Sequence, residues 1–318
     1  MKKQEVIDYL NSTTVDDLPY LFIPSYKRPR PVSAKKILED FNEEGLKKSF
    51  ILVREEERDA YYEENKDLIE RGCNLLVIPE GGVTGVGSTR NYILDYAKEH
   101  DLDVVADFDD DLTCVGALFE KLDKKGEPAS GTFLKDEHKA IENYQQKVLQ
   151  AAGKCARECF EKYPKTVVGS MRKQRFSNTA GNAVTKFSIN KGSTPRQTKI
   201  INMKAVNEKD LRVPAEFDKH GDDIGFVAHV LQEGYWCFQL PWLFYSYTPE
   251  TESTTLRDID EEKNRGIHQQ ELENLLNYDI RDYLRYTKKY DDGSYMYGDV
   301  NWRVYNKLNG SSWIVEKW

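Results

Sequence analysis

The feature that most constrains this chain is the alternation, up to about residue 111, of short apolar runs with longer amphipathic stretches. LPYLFIPSY at 18–26 is apolar and rich in β-formers, and it stops at Pro24 before KRPRP, whose prolines force an extended loop. SAKKILEDFNEE, from Ser33 to Glu44, predicts a helix capped by Ser33, and SFILVREEE from Ser49 predicts a second strand. A helix over 55–71 then leads to the strand NLLVI at 74–78, the glycine-rich loop PEGGVTGVG, a helix from Ser88 to Glu99, and the strand LDVVA at 102–106. Strand, helix, strand at this spacing means parallel crossovers, so the fold class is α/β with a mostly parallel sheet. Ligands of such sheets sit beyond the carboxyl ends of the strands, so the loops after Ile23, Ile78 and Ala106 are expected to meet at one site.

The remainder is read more coarsely. A long helix is expected over 135–162, and the polar KLDKKGEPASG ahead of it reads as a lid. KTVVGSM, KIINMKAV and WCFQLPWLFYSY read as strands, with a helix from Asp223 to Glu233 before the last. The expected layout is a catalytic domain over 1–257, split into halves at 111, with a C-terminal extension over 258–318 that is charged and helical at first and then aromatic. No stretch reaches the ~20 apolar residues of a membrane span, and the N-terminal MKKQEVIDYL runs into polar NSTTVDD instead of a signal-peptide apolar block, so a cytoplasmic protein is expected. Five cysteines without C-x-x-C spacing read as reduced, mostly buried thiols.

The net charge of −8 argues against a protein that coats nucleic acid with its whole surface. Residues 165–199 are nevertheless rich in Lys and Arg and contain no Asp or Glu. Arg172, Lys173, Arg175, Lys186, Lys191, Arg196 and Lys199 are therefore candidates for phosphate contacts, with Phe176, Trp236 or Trp302 to stack a base. A solvated basic surface accounts for the same residues.

Three carboxylates in a row, Asp109, Asp110 and Asp111, follow the last strand of the alternation at the ligand edge. Each close pair of like charges costs about 4 kcal/mol at ~4 Å with an effective dielectric near ~20, a repulsion that a divalent cation reverses. Oxygen-only ligands select Mg²⁺ or Mn²⁺ over zinc. A solvated acidic turn or helix start explains the run equally well. The glycine loop places Arg90 and Asn91 in the first turn of the next helix, where backbone amides and a guanidinium suit an anion. It is neither a Walker A loop, since Gly87 is followed by Ser88 and Thr89, nor a Rossmann fingerprint, since Arg90 stands where the third glycine belongs. Asp222 and Asp223 open an apolar helix, as an N-cap or as a general base for a hydroxyl.

In order along the chain, IPSYKRP, GVGSTRN, VVADFDDD and DLRVPAEFDKHGDDIGFVAHVLQEGY resemble the GT-A glycosyltransferases, especially the family-2-like branch, over about two thirds of the sequence. The resemblance implies a GT-A fold and a nucleoside diphosphate sugar as donor, a UDP-sugar first among them. It implies that Pro24, Ser25, Tyr26 and Arg28, with Arg90, Asn91, Asp107 and Asp110, hold the nucleotide sugar. Asp109 and Asp111 match the D-x-D metal motif, with Asp107 to Asp109 as a second register, and Asp223 matches the base of inverting members. The family's Glu before that base is Asp222 here, and the ~110 residues between the acidic motifs match no family signature, so retaining chemistry stays open. The proline-basic opening, the Ser-Thr-Arg-Asn segment and the triple Asp look like bacteriophage glycosyltransferases associated with hydroxylated DNA bases. DNA bearing hydroxymethyl pyrimidines is then the implied acceptor. A cell-surface glycan or protein acceptor, or a non-catalytic nucleotide-binding or nucleic-acid-binding module, are the other readings.

Overall fold

The computed structural model describes residues 1–125, 128–134, 137–174, 180–247, 270–289, 295–309 and 314–318. Its strands are β1 (Tyr20–Pro24), β2 (Ser49–Arg54), β3 (Asn74–Ile78), β4 (Val104–Phe108), β5 (Leu112–Leu122), β6 (Pro128–Phe133), β7 (Thr166–Lys173), β8 (Thr185–Asn190), β9 (Thr198–Asn202), β10 (Trp236–Tyr247), β11 (Leu284–Lys289), β12 (Tyr295–Val300) and β13 (Ile314–Lys317). The main sheet runs β13-β8-β10-β7-β9-β4-β1-β2-β3. β1 pairs in parallel with β2 and β4, and β2 with β3. Beyond β4 the direction changes: β9 is antiparallel to both β4 and β7, β10 is parallel to β7, and β5 and β8 are antiparallel to β10. β11 and β12 form a separate hairpin.

The parallel strands read as unbroken apolar runs because helices cover both of their faces. Leu21, Ile23, Ile51, Val53, Val104 and Ala106 point into one core, where the helices Lys3–Asn11 and Tyr144–Lys162 supply Val6, Leu10, Val148, Leu149 and Cys155. Phe22, Phe50, Leu52 and Val105, the intervening positions, point into the other, against Ile93, Leu94, Val227 and Val230 of the helices Val86–Glu99 and Asp222–Gln232. The same second core contains Leu275, Ile280, Val300 and Tyr305, and β13 extends the main sheet through β8, so the C-terminal residues are built into the rest of the protein. Cys73, Cys155, Cys159 and Cys237 are buried. No helix among the described residues is long and apolar enough to cross a membrane.

Several expectations change. Most of the supposed lid belongs to a hairpin, since β5 runs to Leu122 and pairs with β6 from Pro128; residues 126 and 127 lie outside the described ones. KIINMKAV divides at Asn202, whose side chain accepts the Ala205 N–H and starts the helix Met203–Lys209 where the strand ends. The helix expected over 55–71 breaks at Asn65, which is fully buried and spends its amide on the carbonyls of Pro29 and Tyr61. Ser33 does not cap a helix to Glu44. The helix there is Val32–Lys36 with Pro31 at its cap, and the Ser33 hydroxyl turns toward the acidic loop instead.

Candidate active site

The carboxyl end of β4, the first residues of β9 and the starts of the Val86–Glu99 and Asp222–Gln232 helices converge on one cluster of charge. Arg90, the fifth residue of the Val86–Glu99 helix, is buried and pairs with Asp107, with Asp109 at 2.6 Å and with Asp222 at 3.4 Å. Lys199 reaches the same group from β9, 2.6 Å from Asp223, 3.8 Å from Asp107 and 4.0 Å from Asp222, with only 4% of its side chain exposed. Two cations thus face four carboxylates, Asp107, Asp109, Asp222 and Asp223.

Burial opposes the charge on Arg90, but Asp107, Asp109, Asp222 and Asp223 more than reverse that, so its pKa lies well above the ordinary value. Lys199 behaves alike: burial and Arg90 act to lower its pKa, and Asp223, Asp107 and Asp222 raise it on balance. On the acidic side the sign is opposite. Burial pushes Asp223 up to about 7, with Lys199 opposing and Asp222 and Asp109 adding to the rise. Burial likewise raises Asp107 against the pull of Arg90 and Lys199. These shifts are the mark of carboxylates in excess of their cations in a partly dry site.

A second, outer cluster sits beside the first. Asp110 accepts from Arg28 at 2.6 Å and from the Ser25 hydroxyl at 2.6 Å, and Ser25 accepts in turn from the Tyr61 hydroxyl at 2.9 Å. Tyr26 is exposed and carries the Arg54 guanidinium 4.3 Å from its ring centroid. The acidic loop between the clusters is pinned by Ser33, whose hydroxyl donates to the Asp109 carbonyl at 2.6 Å and accepts the Leu112 N–H at 3.0 Å. Asp109 keeps 32% of its side chain exposed despite Arg90. Asp111 has a buried Oδ1 without a hydrogen-bond partner, and burial, then Asp109 and Asp110, raise its pKa to about 6.

Among the described residues no three His, Cys, Asp or Glu side chains close around one point as a metal cage. The residues still fit a metal of the kind that uses few protein ligands. Mg²⁺ is commonly held by one or two carboxylates with substrate phosphates and water completing the shell. Asp109 and Asp111 are two such carboxylates, one partly open to solvent and the other with an oxygen that no protein group meets.

The glycine loop is used differently from expected. Its helix N-terminus already has an anion, since the Asp218 carboxylate accepts the Ser88 N–H at 2.5 Å and the Thr84 hydroxyl at 2.5 Å, and the Asp218 carbonyl accepts the Gly87 N–H. A Cβ on Gly85 would come 2.3 Å from the Asp218 carbonyl oxygen, which explains the glycine there. Asn91 is likewise spent within the protein, exchanging two hydrogen bonds with the backbone of Val213. Arg90, Asn91 and the enclosed Asp107 thus make their polar contacts within the protein, at the floor of the site. Nor do Asp222 and Asp223 cap their helix: Gly221, at φ 75°, occupies that position and leaves both carboxylates in the first turn.

The basic segment does not form one face either. Lys199 lies inside the carboxylate cluster, Lys186 pairs with Glu158, Lys191 donates to the Asn309 carbonyl, and Lys173 donates to the Tyr247 hydroxyl. Arg172 is partly buried and Arg196 is exposed, while Arg175 and Phe176 lie outside the described residues. Counting charge along a sequence cannot separate lysines that face solvent from lysines that answer buried carboxylates. The residues the sequence missed, Ser33, Tyr61 and Asp218, carry no local signal of their own, since each acts through a contact far along the chain.

No protein-family model and no curated protein matches the chain. Among solved structures it is similar to residues 1–349 of TarS from S. aureus, at 15% identity and a TM-score of 0.41 over 82% of this chain and 66% of that one. It is also similar to the mannosyltransferase PcManGT from Pyrobaculum calidifontis in complex with GDP-Man and Mn²⁺, at 13% identity and a TM-score of 0.41 over 88% and 69%. A cytidylyltransferase from Leptospira borgpetersenii matches at 9% identity and a TM-score of 0.34 over 77% and 82%. The chain thus spans about two thirds of the length of the first two.

Proposed function

We propose that the protein is a metal-dependent glycosyltransferase of GT-A type that moves a sugar from a nucleoside diphosphate to an acceptor hydroxyl with inversion. The observation that carries this is the surplus of carboxylates over cations beyond the carboxyl end of β4, Asp109 among them, with Asp111 two residues further on. A bound Mg²⁺ or Mn²⁺ would supply charge neutralisation for the leaving diphosphate. Tyr26, Arg28 and Arg54 line the donor side, where a flat exposed ring and guanidinium groups suit a base and phosphates. Asp223 takes the proton from the acceptor O–H; the oxygen forms its bond to the anomeric carbon as the bond from that carbon to the diphosphate oxygen breaks. The electron pair of the broken bond leaves with the nucleoside diphosphate. A carboxyl tuned near neutrality is suited to a base working at that pH.

The test is a screen of UDP- and GDP-sugars with Mn²⁺ or Mg²⁺ against hydroxymethylated DNA, unmodified DNA, glycans and proteins, read by mass spectrometry. We expect metal-dependent release of a nucleoside diphosphate and a hexose- or pentose-sized mass gain on one acceptor class. Absence of both across the panel overturns the assignment.

A further inference from the structure

Asp223 and Asp222 are adjacent, yet the protein treats them differently. Asp222 is 14% exposed and lies between Arg90 at 3.4 Å and Lys199 at 4.0 Å. Asp223 is 28% exposed, and Lys199 is the one cation within ion-pair distance of it among the described residues. The contact is made by Asp223 Oδ1 at 2.6 Å, which leaves Oδ2 for a substrate proton. Lys199 is itself held: its Nζ donates to the Arg196 carbonyl at 3.1 Å, and its strand is fixed by backbone pairing of β9 with β4, where Lys199 stands opposite Asp107. A lysine side chain ordinarily has wide rotamer freedom and remains in water. This one is enclosed and anchored at its tip, and of the three carboxylates around it Asp223 is much the nearest, at 2.6 Å against 3.8 and 4.0 Å.

From this geometry we infer that Lys199 is the positioning residue of the reaction, fixing the rotamer and the negative charge of Asp223 so that Oδ2 faces the acceptor hydroxyl. The inference rests on the glycosyltransferase reading and deepens it. The ammonium makes no contact with substrate; it acts through Asp223. Arg90 does not replace it, because its three nitrogens are directed at Asp107, Asp109 and Asp222. The split of tasks follows: Arg90 gathers Asp107, Asp109 and Asp222, and Lys199 makes its short contact with Asp223.

The experiment compares Lys199→Met and Lys199→Arg with wild type, using the full chain and the nucleotide sugar found active in the screen. Lys199→Met should lower kcat by about 10²-fold while the donor KM stays within about threefold, the pattern of an interaction made for the chemical step. Lys199→Arg, which restores a cation able to meet Oδ1, should recover at least about tenfold of that loss. A purely structural role predicts that kcat and KM worsen together or that Arg gives no recovery, and either result overturns the inference, as does a kcat within threefold of wild type for Lys199→Met. Should Lys199→Met fail to fold, Lys199→Met with Asp107→Asn removes one charge of each sign and serves in its place. A double-mutant cycle of Lys199→Met and Asp223→Asn on unfolding by urea tests the pairing without any substrate. Wild-type protein that transfers no sugar overturns the glycosyltransferase reading, whereas an uncoupled cycle overturns the Lys199–Asp223 pairing by itself.

Discussion

The two charge clusters on either side of the acidic loop each pair an arginine with aspartate and do different work. The inner one joins Arg90 and Lys199 to Asp107, Asp109, Asp222 and Asp223, drawing on β4, β9 and two helices, so both halves of the protein meet in it. The outer one joins Arg28, Asp110, Ser25 and Tyr61, all from the first half, with Arg28 and Asp110 each 14% exposed. By the same measure the inner cations Arg90 and Lys199 are 9% and 4% exposed, whereas Asp109 and Asp223 keep 32% and 28% open to solvent. A cluster whose buried cations tie two halves together is expected to govern both stability and chemistry, whereas a local pair is expected to shape a binding loop. Each prediction below separates those two consequences.

The largest effect is expected at Asp223. Asp223→Asn should lower kcat by about 10² to 10⁴ while donor binding by calorimetry stays intact, the range for loss of a general base. Because the base must be ionised and its carboxyl is raised to about 7, wild-type kcat should climb as pH rises through that value and level off above it. Asp222→Asn should cost less. Turnover within threefold of wild type for Asp223→Asn would move the chemistry out of the inner cluster.

Arg90→Leu comes next and is read by stability. Removing one partner of a buried ion pair typically costs about 3–5 kcal/mol, because the remaining charges are left uncompensated. Here the uncompensated groups are Asp107, Asp109 and Asp222, so urea unfolding should show a loss in that range. A loss below 1 kcal/mol would mean that Lys199 and water already satisfy the carboxylates.

The parts that build these clusters were unequally legible in the sequence. β1, β2, β3 and β4 stand out because a strand covered on both faces needs an apolar side chain at every position, and the run VVADFDDD ends where that requirement ends. β5, β6 and β8 escape because they lie in the half where strands exchange direction and carry polar positions, as in KLDKKGEPASG and TKFSIN. Lys199 is visible as a charge, yet its partner Asp223 stands in another element, so its sequence neighbours describe a basic segment while its spatial neighbours are acids. Asp218 is hidden for the same reason: it caps a helix that begins at Val86.

The outer cluster should respond more mildly. Arg28→Ala leaves the Ser25 hydroxyl on Asp110, so the lost hydrogen bond to a charged group is worth about 1–3 kcal/mol, divided between stability and donor affinity. We expect unfolding free energy to fall by ~1 kcal/mol and donor Kd to rise by about tenfold, measured by urea titration and calorimetry. A stability loss as large as that of Arg90→Leu would erase the distinction between the clusters.

The smallest effect tests whether the glycine loop belongs to either cluster. Asp218 caps the Val86–Glu99 helix from a distance, accepting from Ser88 and Thr84, and the close approach of its backbone is what requires Gly85 and Gly87. Asp218→Ala removes the cap and should cost about 0.5–2 kcal/mol of stability, whereas Asp218→Asn, an acceptor of similar shape, should recover most of it. Because the capping carboxylate already satisfies the helix start, the donor's phosphates have no claim on those amides, and donor Kd should stay within twofold of wild type in both variants. A different outcome would be informative in sign. Tighter donor binding in Asp218→Ala would show that the vacated N-terminus can accept the diphosphate, and would place the glycine loop within reach of the donor. Weaker binding with unchanged stability would show that the cap positions Arg90, and through it Asp109, rather than the helix as a whole.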